Sequence, residues 1–421
     1  MKSLSVLSVK SVVKFLIFFR ETDRVKHIAG LAVVLAFLFG NVGALAQMQY
    51  EKEIQAIGER FVPDTRLNIF ETVKTDTGTE VVTSSAEAYA ALKELAAKPN
   101  AGFVPKLWPD ENPRVGEKSY GVVNLSVVSV RCQGGHTKEL ATQALLGMPL
   151  RILDAPADLS DDSPWIRIQS QDNYIGYVTY SSITMMTRAE WDAWRLAKKI
   201  IWTENSGHVY KDADDDSPYV SDVVAGDVLA VTGVKDDDYL QVRFPDGRLA
   251  WADEDDCQDF DRWIQQCDLT PEKIVATAKR FMGVPYLWGG TSSKSLDCSG
   301  LVAYVLFLNR ISSLRDVSQQ MRDGTNVDIS QGLGNIQAGD FLIFGERDAK
   351  GEILDVRHIG IAMGNNEFIH AATDVHVSSF DPAAPNHDAR NTKALVKAIR
   401  YCGAPFTATY KPLKDNPNYK K

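Results

Sequence analysis

The sequence predicts a multidomain chain in which two small β-barrels precede an α+β domain. Three observations carry this expectation. At 421 residues the chain is longer than one ordinary hydrophobic core fills. Between about residues 117 and 256, short alternating apolar segments recur between acidic or Gly/Asn turns. From about residue 268 onward, helical periodicity mixes with strand-like alternation. The composition, 44% hydrophobic and 24% charged, is that of a globular protein. A net charge of −9 without a basic run or a glycine-rich phosphate loop argues against nucleic acid as a partner.

Taken in order, residues 1–46 read as an export signal. Arg20, Arg24 and Lys26 precede an apolar run from Ile28 to Phe39, and Ala44-Leu45-Ala46 supplies a small-x-small cleavage pattern. The run is short for a spanning helix and is broken by Gly40, Asn41 and Gly43, so no stable membrane insertion is expected after cleavage. Five cysteines stand at 132, 257, 267, 298 and 402, and an odd number in an exported chain leaves a free thiol. Cys257 and Cys267 are close enough in sequence to bridge, which sequence alone leaves open. Residues 47–116 form a small α/β segment. Leu67 to Val82 alternates around Thr75-Asp76-Thr77-Gly78 as a hairpin, and Ser84-Ser85 caps a helix that Pro99 closes. No chemistry is legible there.

Residues 117–186 carry strands at Val122 to Val130, Pro149 to Leu153, Trp165 to Ile168 and Tyr174 to Val178. Residues 206–258 repeat the pattern more weakly, with the turn Pro245-Asp246-Gly247 before a last strand. Two bacterial SH3-like barrels fit both stretches. Between them, 187–205 is expected as a linking helix with Trp191 and Trp194 on its buried side.

The last domain, 268–405, opens with Thr270 as N-cap and Pro271 at the first helical position, and a tail follows at 406–421. Its sharpest feature is Asp297-Cys298-Ser299-Gly300 at the start of a second helix. Asp297 caps that helix and puts Cys298 in its first turn, where free N–H groups and the macrodipole favour a thiolate. Taken alone, Cys298 reads equally as a buried structural cysteine; it becomes a nucleophile only beside a base.

A base is available on a hairpin. Val356 to Ala362 alternates as a strand, and Glu367 to Ala371 is its return. With Gly364-Asn365-Asn366 as a three-residue connection, His358 lies opposite Ala372 and diagonal to His370, at a Cβ separation of about 7–8 Å. A two-residue connection would send the two rings to opposite faces. His376 and His387 fall in the following Pro/Asp/Asn-rich stretch and are expected to be solvated. Gly283 to Gly290 permits close approach of a substrate, with the Tyr286 hydroxyl available to the reacting centre, or else forms a tight turn with core aromatics. No CxxC spacing supports zinc, and no organic cofactor is implied.

Tyr286-x-Trp-Gly-Gly, Asp-Cys-Ser-Gly, the strand around His358 and the return strand Phe368-Ile-His370, in this order, resemble the NlpC-type cell-wall peptidase family over about residues 270–402. The resemblance implies a papain-like α+β cysteine peptidase domain with Cys298 as nucleophile, His358 as base, His370 as third polar residue and Tyr286 beside the sulfur. It places Asp297 and Ser299 at the substrate. Two SH3-like modules ahead of such a domain resemble the subgroup that releases L-Ala-γ-D-Glu from murein peptides with a free N-terminal amine. That likeness makes Glu139, Tyr174 and Asp316 the ammonium ligands; Val317 departs from the serine expected after that aspartate. An ammonium in a cleft needs such carboxylates, because burying it unpaired is costly. The expectation is therefore an exported, periplasmic or secreted, monomeric hydrolase of peptidoglycan-derived peptides. The rival readings are an amidase or acyltransferase of the same thiol fold, and a non-catalytic wall-binding protein.

Overall fold

The computed structural model describes residues 50–160 and 164–420; the export signal expected at 1–46 lies outside the described residues. Among the described residues, no helix is long and apolar enough to cross a membrane.

A helix over residues 50–61 opens the described chain. Strands Phe70–Thr75 and Gly78–Thr83 then pair antiparallel around the expected turn. The helix Ala86–Ala96, capped by Ser85, leads to a strand Phe103–Leu107 that runs parallel to Gly78–Thr83. This β-α-β unit buries Ile69 and Val82 against Leu153 and Ile175 of the next domain.

The first seven-stranded sheet spans Tyr120–Val123 to Ile183–Met186, and the second spans Lys199–Trp202 to Cys257–Asp259. Alternation in the sequence becomes alternation in space: in Trp165–Gln169 only Ile166 and Ile168 turn into the core. Two details differ from the expectation. The stretch 122–130 is not one strand but parts of two, broken at Asn124-Leu125-Ser126. The linking stretch is helical only at Arg188–Leu196; Lys199–Trp202 then enters the second sheet, pairing with Val228–Asp236 and Cys257–Asp259. Trp191 is buried against Tyr120 and Val122, whereas Trp194 is only partly covered.

The C-terminal domain is built on a six-stranded antiparallel sheet. In spatial order its strands are Thr325–Val327, Leu395–Arg400, Phe341–Arg347, Ile353–Gly364, Glu367–Ala371 and Val375–Ser379. Against it lies the helix Cys298–Leu308, whose sequence is apolar on nearly every side because neighbours cover it all round. Phe307 of this helix approaches Gly226 of the second barrel, and its Tyr304 hydroxyl donates to the Ala225 carbonyl at 2.6 Å. One apolar cluster therefore runs from Val128 and Ile166 through Val224 to Leu301 and Ile359, joining both barrels to the C-terminal sheet. The expected tail is also tied down: Lys411–Pro412 pairs with Ile311–Ser312, and Tyr410 is buried with its hydroxyl on the Tyr401 carbonyl. All five cysteines are free thiols, so the pair left open at Cys257 and Cys267 is not bridged.

Candidate active site

Cys298 is the first residue of its helix, as the capping pattern requires. The Asp297 side chain accepts from Gly300 N at 2.6 Å and from Gly289 N at 2.7 Å. The turn leaves no room for a side chain at Gly300, where a Cβ would stand 1.9 Å from the Gly290 carbonyl oxygen. Arg315, fully buried, reaches Asp297 Oδ2 at 2.6 Å, Ser299 Oγ at 2.8 Å and Thr142 Oγ1 of the first barrel at 3.0 Å. Asp297 and Ser299 border the cleft, but their side-chain oxygens are engaged by these donors. Both residues line the cavity over Cys298 while their side chains brace one another and Arg315.

The thiol itself departs from the thiolate expected of a helix N-terminus. Burial pushes Cys298 up to about 12, the Asp297 charge adds to the effect, and the Ile359 and Ser299 backbone amides oppose it only weakly. Loss of hydration outweighs the helix-terminal field, so the resting group is a thiol.

The hairpin delivers the two imidazoles together by a route the sequence did not disclose. The turn is the two-residue Asn365-Asn366, both in the left-handed region, closing on the pair Gly364–Glu367. A bulge at Met363 then shifts the register by one, so that Ala362 pairs with Phe368 and Ile361 with Ile369. The bulge cancels the face reversal that a two-residue turn would impose. His358 Nε2 and His370 Nδ1 lie 2.7 Å apart, and His370 Nε2 lies 3.0 Å from Ser378 Oγ. Burial holds His358 down to about 4 and His370 to about 3, the latter also disfavoured by its neighbours His358 and His376. Both rings are therefore neutral near pH 7. His376 keeps 37% of its side chain exposed, in line with the solvation expected, but it lies in no loop: it sits on Val375–Ser379 directly across from His370, ring centroids 4.5 Å apart, and bonds Asp374.

Cys298 and His358 come from adjoining elements: the helix Cys298–Leu308 packs against the strand Ile353–Gly364 that carries His358. A cavity of about 270 Å³ opens over Cys298, and Arg357 borders both it and a neighbouring cavity of about 450 Å³ that contains His358. Tyr286 lines the first cavity half-buried; burial and the nearby Cys298 and Asp297 raise its hydroxyl to about 12, which keeps it a donor. Glu139, Tyr174 and Asp316 meet at the same cavity, two from the first barrel and one from the C-terminal domain. The Tyr174 hydroxyl donates to Asp316 Oδ2 at 3.2 Å, and Trp288 Nε1 donates to Glu139 Oε1 at 2.9 Å. Gly289, at φ +82°, brings the loop against Leu140 beside Glu139.

One participant was missed. Arg66 of the N-terminal segment lines this cavity and donates to Asp316 Oδ2 at 2.7 Å. No local pattern could have found it, because the partner lies 250 residues away. A larger cavity, about 1090 Å³, lies between the helix over 50–61 and the strand Phe70–Thr75, and no cysteine or histidine lines it.

Comparison with known proteins agrees with this architecture. Residues 283–397 match the NlpC/P60 family, and residues 130–183 match the bacterial dipeptidyl-peptidase SH3 domain. The gamma-D-glutamyl-L-lysine dipeptidyl-peptidase of Bacillus subtilis (strain 168) is 34% identical over 119 residues, which span 26% of this chain and 38% of that protein. Its namesake from Bacillus cereus (strain ATCC 10987 / NRS 248) is 26% identical over 56% of this chain and 68% of its own length. The crystal structure of an NlpC/P60 family protein from Bacillus cereus ATCC 10987 shares the fold, with a TM-score of 0.56 at 20% identity over 67% of this chain and 99% of that one. The chain therefore carries an NlpC/P60 domain at its C-terminal end, preceded by SH3-like structure of the kind found in bacterial dipeptidyl-peptidases.

Proposed function

We propose that the protein is a cysteine peptidase that hydrolyses murein peptides at the γ-D-glutamyl–L-diamino acid bond, releasing L-Ala-γ-D-Glu from peptides with a free N-terminal L-Ala. The observation that carries this reading is the single cavity over Cys298, into which Glu139, Tyr174 and Asp316 converge from two domains. Acidic groups at one end and a nucleophile at the other suit a short peptide anchored by its ammonium. The relatives named as gamma-D-glutamyl-L-lysine dipeptidyl-peptidases support the same bond.

In this mechanism the starting pair is neutral. The Cys298 thiol gives its proton to the remaining nitrogen of His358, Nδ1, as sulfur attacks the γ-carbonyl carbon. The cationic ring is held by donating Nε2–H to His370 Nδ1, and His370 in turn donates its Nε2–H to Ser378 Oγ. Backbone amides at the start of the Cys298 helix and the Tyr286 hydroxyl stabilise the oxyanion. Collapse breaks the C–N bond, and the leaving amine takes the proton from His358. Water, deprotonated by His358, then hydrolyses the thioester and frees the thiol.

The test is mass spectrometry of L-Ala-γ-D-Glu-diaminopimelate incubated with the protein, beside an N-acetylated copy. Release of L-Ala-γ-D-Glu from the free-amine peptide alone is the expected result. Equal cleavage of both removes the amine-recognition reading while leaving the Cys298 chemistry, and cleavage of neither by a protein whose thiol alkylates removes the peptidase reading.

A further inference from the structure

The N-terminal segment is wired into the cleft by one short stretch, residues 64–66. The Arg66 carbonyl accepts from Ile175 N at 2.7 Å, immediately after Tyr174. The Arg66 guanidinium donates from Nη1 to Asp316 Oδ2 at 2.7 Å and to Ser318 Oγ at 3.1 Å. On its other edge the same guanidinium forms a two-point fork with Asp64, at 2.8 and 2.7 Å. Asp64 is fixed in its turn by Gln319 Nε2 at 2.9 Å. Burial works against the Asp64 charge, but the hydrogen bonds from Arg66 and Gln319 prevail and hold it at about 2.

The frame behind this stretch is firm. Gln169 Nε2 donates to the Leu67 carbonyl at 2.7 Å, and Ile69 packs on Ile175 in a shared apolar cluster. A single residue thus grips the tyrosine turn of the first barrel with its backbone and the aspartate of the C-terminal domain with its side chain. Those two groups belong to separate domains and meet at one end of the cavity, where the Tyr174 hydroxyl bonds Asp316. The two-point fork with Asp64 fixes the plane of the guanidinium, and with it the direction of the single Nη1 bond to Asp316.

We propose that Arg66 is a positioning residue for substrate selection: it aligns Asp316 with Tyr174 around the ammonium and walls off that end of the cavity, so that a peptide extended on the amino side of its L-Ala does not fit. The inference rests on the amine-recognition reading above. The Asp64 and Arg66 charges offset each other and leave the pocket's charge to Asp316 and Glu139, so the arginine orients Asp316 while Glu139 is held separately by Trp288. The N-terminal segment then serves as a third wall of the site, beside the first barrel and the catalytic domain.

The test compares wild type, Arg66→Ala and Arg66→Lys in the full chain, with free-amine and N-acetylated L-Ala-γ-D-Glu-diaminopimelate as substrates. For Arg66→Ala, KM for the free-amine peptide is expected to rise about tenfold or more, the usual consequence of losing a charge-assisted contact, with kcat held within about twofold. The preference for the free amine, as a ratio of kcat/KM values, is expected to fall by at least as much. Arg66→Lys keeps the charge and is expected to recover part of the preference, which a merely structural role would not predict. A wild type that cleaves both peptides equally would sink the underlying reading before Arg66 is tested. A wild type that discriminates, with an alanine variant that discriminates as well or better, overturns the role of Arg66 alone; a parallel fall in kcat for both substrates does the same. Should the alanine variant not fold, the lysine variant still decides, since an unchanged KM and preference there would contradict the fork geometry.

Discussion

Replacing His370 by alanine removes the hydrogen-bond partner that His358 Nε2 has among the described residues, and the size of the effect follows from that contact. At 2.7 Å the bond is short, and it becomes charge-assisted when His358 takes the thiol proton. Hydrogen bonds to charged groups contribute about 1.5–3 kcal/mol, so kcat/KM for the tripeptide is expected to fall about 10- to 150-fold. The ring is buried between Phe368 and His376, so a control for packing is needed. His370→Asn supplies a carbonyl oxygen near the position of Nδ1, and its loss is expected to be several-fold smaller. The assay is steady-state release of L-Ala-γ-D-Glu, with the rate of Cys298 alkylation as a check on the cleft. A loss below about threefold in the alanine variant would refute the orienting role. An asparagine variant as poor as alanine would assign the effect to packing.

Other outcomes follow from the same geometry. Arg315→Leu strands the buried Asp297 carboxylate; a loss of about 3–5 kcal/mol in denaturant unfolding is expected, and adding Asp297→Asn is expected to restore part of it. Gly300→Ala drives a methyl into the Gly290 carbonyl, and a cost of about 3 kcal/mol with loss of turnover is expected; unchanged thermal stability would contradict the packing. Because burial holds His358 at about 4, the acidic limb of kcat/KM is expected well below 6.5, and a limb at or above 6.5 would contradict a buried neutral base. The sign for stability agrees: both histidines bind protons more readily once unfolded, so their contribution is complete above about pH 6.5 and is lost as pH falls through about 4. Urea midpoints measured between pH 7 and 4 check this.

Local chemistry was legible wherever it was written locally. Asp297 three residues before Gly300, and Thr270 before Pro271, declare helix starts through hydrogen bonds that close within four residues. The alternation of Trp165–Gln169 declares a strand because side chains on a pleat must choose a face. The order of four short motifs located Cys298, His358 and His370. The register of the hairpin was less secure: a turn length was expected, and a turn plus a bulge at Met363 was found, which sequence does not distinguish.

What the sequence by itself determined is which groups are present and which element starts or face each occupies, because caps, turns and alternation are short-range. What only the tertiary structure decided is what those groups experience. Burial turned the expected Cys298 thiolate into a thiol, and a buried guanidinium 18 residues on took up Asp297. Arg66 entered the cleft across 250 residues of chain. Desolvation and long-range ion pairing depend on how elements pack, and packing joins residues whose separation in sequence carries no signal.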